Sequence, residues 1–190
     1  MKFYYFGAML PSLSLENPPP FSVATFIQLC RQHLPKEDCD ALEELVMSPG
    51  PPPPEPRTKP SVHGIDFFEK WQEMEVQLRN AIVKQLAGEL GKDPVLFCRS
   101  HTGINMMILK GVQDAFASKN PLERELALDK LRWKLLDELA GFDPFSESAI
   151  LSYGLKLKLV ERWSQMNHQK GQKKVENYIA TLTSQNNTLN

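Results

Sequence analysis

Long apolar runs are missing from this chain of 190 residues. The first candidate, FYYFGAMLPSL at residues 3–13, is stopped by Pro11 well short of the roughly 20 apolar residues that a membrane-spanning helix needs. No later stretch reaches that length, so no spanning segment is expected. The same stretch reads poorly as a secretory signal: its basic head is Lys2 alone, its centre carries Tyr4, Tyr5 and Gly7, and no A-x-A cleavage pattern follows. It reads instead as a core segment, with helix and strand both open to it.

Cysteine is scarce. Cys30, Cys39 and Cys98 are odd in number and cannot all pair within one chain, which points to reduced thiols in a cytoplasmic protein. In that compartment the sequon Asn186-Asn187-Thr188 carries no glycan. Net charge is nearly absent too, at -1, which removes the global attraction a dedicated nucleic-acid or membrane-surface binder would show. The charge is unevenly spread: residues 150–190 hold Lys156, Lys158, Arg162, Lys170, Lys173 and Lys174 against only Glu161 and Glu176. Catalytic signatures are lacking as well. There is no G-x-S-x-G, H-E-x-x-H or phosphate-binding G-x-x-x-x-G-K-[ST], and pairs such as Glu43-Glu44 read as solvated helix faces.

What the chain has in excess is proline and helical periodicity. Hydrophobic residues make up 42% and charged ones 24%, an ordinary globular balance able to build a core. After the rigid ENPPPFS turn, Ser22 is placed to cap a helix whose Val23, Phe26, Ile27 and Cys30 share one face. Pro35 ends it and opens a second, with Leu42, Leu45 and Val46 as its stripe, so residues 1–47 read as an N-terminal segment and a helical hairpin. Residues 48–64 form a proline-rich linker or loop, with Pro51 to Pro54 favouring extended polyproline II.

A main helical bundle is expected over 65–183, packed with the N-terminal part. In 65–88, Phe67, Trp71, Met74, Leu78, Ile82 and Gln85 recur at helical spacing, widened by Phe68 and Leu86. Residues 95–118 are rich in apolar side chains, from Val95, Leu96 and Phe97 through Ile104 and Met106 to Val112 and Phe116. Their second half reads as a helix interrupted by Gly111. A long helix then starts at Asn120-Pro121, follows Leu122, Leu126, Asp129, Trp133, Leu136 and Ala140, and is capped by Gly141. The segment YGLKLKLV alternates as an exposed strand would, but Ile150, Tyr153, Leu157 and Val160 form a helical face and helix is the reading adopted. A last amphipathic turn through Val175, Tyr178, Ile179 and Leu182 leads to a polar tail at 184–190. The fold class is therefore all-α: a bundle of about six to eight helices with a proline-rich loop.

The sharpest chemical pattern is a repeated tetrapeptide, CRQH at 30–33 and CRSH at 98–101. Cysteine and histidine three apart share a helix face, so Cys30, His33, Cys98 and His101 could close a tetrahedral metal site or serve a small cysteine-dependent enzyme. Against this, Cys30 belongs to an apolar stripe and the spacing is not the usual C-x-x-C. No metal or cofactor is assigned. Tyr153, Trp163 and Tyr178 lie among the lysines of 153–178, an interleaving that nucleic-acid binders use, but they fit a core stripe equally well; no nucleic-acid partner is expected.

Three blocks carry a resemblance: YYFGAMLPSLSLENPPPFSVATFIQLC, WQEMEVQLRNAIVKQLAGELGKDP and ILSYGLKLKLVERWSQMNHQKG. They resemble an uncharacterised bacterial family whose members are encoded beside V/A-type ATPase subunits in chlamydiae, spirochaetes and related groups. More distantly, the Y-x-x-A-x-L opening, the F-x-x-L helix and L-K-L-K-L-V-E-R are similar to elements of the C/d-type central-stalk component of those ATPases, a helical funnel between rotor shaft and membrane ring. This chain is much shorter than that three-lobed funnel. The resemblance implies a cytoplasmic, non-catalytic coupling or assembly protein with V/A-type ATPase subunits as partners, peripheral at the inner membrane without inserting itself. Tyr153, Lys156, Leu157, Lys158, Arg162 and Trp163 are the candidates for partner contact, and the same residues are equally candidates for the core.

Overall fold

A computed structural model of the chain describes residues 3–47 and 65–166. Among these, seven α-helices and no strand are found, as the all-α reading expects. They are α1 (Tyr4–Met9), α2 (Val23–His33), α3 (Lys36–Met47), α4 (Ile65–Leu90), α5 (Met106–Ala117), α6 (Pro121–Ala140) and α7 (Glu147–Gln165), with a 3-10 turn at Pro94–Leu96 between α4 and α5. The proline-rich segment, the final amphipathic turn and the tail lie outside the described residues.

The local signals act as anticipated. The Ser22 hydroxyl accepts from Thr25 N at 3.1 Å, and Asn120 and Ser146 cap α6 and α7 in the same way. Gly141 follows α6 at φ 70°. The opening stretch resolves as helix, with Gly7 N donating to Phe3 O at 2.7 Å. Phe6 is buried against Phe26, and Tyr4 lies 4.5 Å from the Phe145 ring in the turn before α7, whereas Tyr5 faces solvent.

Two apolar clusters form. One gathers Phe6 of α1, the inner faces of α2 and α3, Phe67 of α4 and most of the buried face of α7. The other joins Leu78 and Ala81 of α4 with Ile108, Val112 and Ala115 of α5 and Leu128, Leu131 and Leu135 of α6. Helix α6 bridges them, because Leu136, one residue after Leu135, belongs to the first. Trp71 touches both.

Helix α7 is enclosed on two sides, which explains its strand-like sequence. At about 100° per residue, Leu155 and Leu159 share one side and Leu157 points nearly opposite. Alternation here therefore means two packed faces of one helix. The lysines between them close the flanks: Lys156 Nζ meets Asp137 Oδ1 of α6 at 2.5 Å, and Lys158 Nζ donates to the Val46 carbonyl in the last turn of α3 at 2.6 Å. Close approach is enforced at Gly154, where an added Cβ would lie 2.9 Å from Phe26 and 3.0 Å from Val46.

Several expectations are corrected. Gly111 does not interrupt α5, which runs unbroken from Met106 to Ala117. It allows α5 to cross α6, since a Cβ there would stand 2.7 Å from Leu131 Cδ2. Leu86 of α4 and Leu122 of α6 keep the period but are exposed; in α6 the stripe finds partners only from Leu126 onward. Of the apolar residues between 95 and 109, only Ile108 is buried.

Candidate functional site

Two features stand out: apolar side chains held outside the fold, and charged side chains held inside it. The first lies between α4 and α5. Val95, Leu96 and Phe97 are 75%, 77% and 58% exposed, and Ile104 and Met106, where the same strap of chain enters α5, are 73% and 70% exposed. The three consecutive residues all face outward because a short 3-10 turn, capped by the Asp93 carboxylate on Val95 N at 2.9 Å, has no sheltered face of its own.

The strap is fastened by a polar row of α4, residues 73, 77 and 80, spaced four and three apart on one face. Asn80 donates to Arg99 O at 2.7 Å and accepts from Arg99 N at 2.9 Å. Gln77 donates to Thr102 O at 3.0 Å and accepts from Asn105 N at 2.9 Å. Glu73 accepts from both the amide and the hydroxyl of Thr102, at 2.5 and 3.0 Å. Satisfying these backbone groups fixes the strap's course, so its apolar side chains are presented on an ordered frame. Lys92 and Arg99, both exposed, flank the turn.

The second feature is a charge network beneath a cleft of about 420 Å³ bordered by α3, α4, α6 and α7. Asp129 of α6 is 0% exposed. Its carboxylate accepts from Arg132 Nη1 at 2.8 Å and Trp163 Nε1 at 2.7 Å, and also pairs with Arg162. Arg132 Nε reaches Glu75 of α4 at 2.8 Å, so one guanidinium joins two acids from two helices. Burial disfavours the Arg132 charge, but Glu75 and then Asp129 more than offset this and hold the group above its ordinary value. The cleft's apolar wall includes Phe68, Trp71 and Leu159. The amide nitrogen of Gln72, another lining residue, is buried without an acceptor among the described residues.

The residues singled out from sequence separate on inspection. Cys30 and Cys39 lie in the first core cluster, where burial, with Cys39 nearby, pushes the Cys30 thiol up to about 12 and away from nucleophilic use. His33 is exposed and stacks at 5.8 Å on Phe6. Cys98 instead lies by α4, its thiol 4.0 Å from Asn80 O, in the strap that also carries His101. The two Cys-His pairs thus belong to different parts of the fold. Among the described residues no three His, Cys, Asp or Glu side chains are grouped to hold a metal ion.

The proposed contact residues also divide. Leu157 is fully buried and belongs to the core, not the surface. Tyr153 packs on Phe26 at 5.3 Å, and burial pushes its phenol up to about 12. Lys156 and Lys158 seal α7 to its neighbours, and burial lowers the Lys158 ammonium below its ordinary value. Arg162 and Trp163 serve Asp129.

Residues 101–186 match a family described as "Protein of unknown function (DUF2764)". That match takes in α5, α6 and α7, and with them Asp129, Arg132, Arg162 and Trp163. No curated protein and no solved structure matches the chain. Among the described residues, no helix is long and apolar enough to cross a membrane.

Sequence reasoning missed both features as features. Asp129 stood in the apolar register of α6, and an acid at such a position was itself the signal that a buried partner must exist. The 73, 77, 80 row was likewise visible as a polar stripe beside the apolar one, although its loop partners were not.

Proposed function

We propose that this chain is a non-catalytic helical interaction protein associated with a V/A-type ATPase, serving stalk-like coupling, assembly or regulation, and that it docks through the clamped apolar strap. The observation that carries the docking role is the outward presentation of Val95, Leu96 and Phe97 on a frame fixed by Glu73, Gln77 and Asn80. Burying side chains of this kind yields about 1.5–3 kcal/mol each, and an ordered strap avoids much of the entropy cost that a loose loop would incur on binding. With Lys92 and Arg99 beside the turn, the complementary partner face is an apolar groove with an acidic rim.

The ATPase side of the reading is supported by the resemblance of the three blocks at 4–30, 71–94 and 150–171. A cytoplasmic position, peripheral at the inner membrane through the complex, goes with it. The test is co-purification. Tagged protein isolated from native membranes is expected to bring down rotary-ATPase subunits, identified by mass spectrometry; repeated recovery without any of them would remove the ATPase assignment.

A further inference from the structure

We infer that the cleft bordered by α3, α4, α6 and α7 is a binding site for a small amphipathic monoanion, an apolar body bearing one carboxylate or equivalent acid group. Its volume of about 420 Å³ lies within the range of cavities that take small organic ligands. One wall offers Phe68, Trp71 and Leu159 to an apolar body. The other is charged and carries Arg79, Arg132, Lys158 and Arg162 beside Glu75, Asp129 and Glu161.

The buried acids are already engaged from within the fold. Asp129 is held by Arg132, Arg162 and Trp163, and Glu75 by Arg132. The cations toward solvent retain capacity. The Arg79 side chain is 49% exposed and stands 3.6 Å from Glu75, and that of Arg162 is 41% exposed and pairs with Glu125 at 3.4 Å as well as with Asp129. A guanidinium carries five donors, so each can also serve an incoming acid group. Glu161 at the same cleft disfavours a second negative charge on the ligand, which sets the class as a monoanion.

The test uses decanoate, below its aggregation concentration, titrated calorimetrically into the full chain. Saturable binding at one site per chain is expected, with about tenfold weaker binding for Arg79→Gln and for uncharged 1-decanol in place of decanoate. Leu159→Trp, which fills the apolar wall, should weaken binding at least as much, with helicity checked by circular dichroism. Should Leu159→Trp lose helicity, Arg79→Gln, at a half-exposed position, decides the matter alone. The variant Val95→Ser/Leu96→Ser/Phe97→Ser should bind decanoate as the parent does. No saturable binding, equal binding of decanol, or loss of binding in the strap variant would each overturn the site.

Discussion

The strap between α4 and α5 and the network around Asp129 invert the usual arrangement in opposite senses. In the first, five apolar side chains stand in water while the polar groups of the same segment are bonded to α4. In the second, a carboxylate without solvent contact is surrounded by three donors. A buried charge that is fully paired costs the fold little further and resists disruption, whereas apolar surface that nothing covers contributes little to the chain's own stability. The contrast separates residues that serve the fold from those available to a partner: the apolar side chains of the strap are held in place without being covered.

The largest expected effect comes from breaking the inner network. Asp129→Ala leaves Arg132 and Arg162 facing one another without their shared acid and should cost about 3–5 kcal/mol, read from the urea midpoint. If it costs less than about 1 kcal/mol, the network is not the buried support described. Next is the clamp. Asn80→Ala removes a buried side chain holding both backbone groups of Arg99 and should cost about 1–3 kcal/mol, with faster amide exchange through 95–105 as its signature. Gly111→Ala should cost a similar amount by forcing α5 away from Leu131.

Smaller effects sharpen the contrast. The Tyr153 hydroxyl is buried without a partner among the described residues, so Tyr153→Phe should gain about 1 kcal/mol. It should also change the alkaline limb. Cys30 and Tyr153 have folded values near 12 against ordinary values of 9.0 and 10.0, so their neutral forms favour the fold. The stability they contribute is complete below about pH 9 and is lost as pH rises toward 12. Thermal unfolding from pH 8 to 11 should show that loss, and Tyr153→Phe should reduce but not abolish it, because Cys30 remains. An unchanged alkaline slope in the variant would count against burial of the phenol. The smallest effect belongs to the strap: Val95→Ser/Leu96→Ser/Phe97→Ser should move stability by no more than about 0.5 kcal/mol per site.

Much of the fold was legible because its signals are local. Ser22, Asn120 and Gly141 act within a turn of their own position, and the stripe of α2 needs only the helical period. What failed depends on partners distant in sequence. Gly111 looks like a break until Leu131 is beside it. The helical face of α7 already outweighed its Lys-Leu alternation, which the helices packed on two sides explain. The clamp was unreadable for the same reason: a polar row on α4 does not announce which loop it will hold. Hydrophobicity gave no direction at Val95–Phe97, since an apolar residue in a turn is as consistent with docking as with burial. The candidate contacts on α7 lie on a largely enclosed helix, where Leu157 takes the core role that its sequence equally allowed.

Docking through the outward apolar strap can be measured by capturing rotary-ATPase subunits from native membranes with the parent chain and with Val95→Ser/Leu96→Ser/Phe97→Ser side by side. The two proteins should unfold at closely similar temperatures while the variant recovers less than about a tenth of the subunits, since losing even one well-buried apolar contact corresponds to about tenfold in affinity. Equal recovery by a fully folded variant would contradict it.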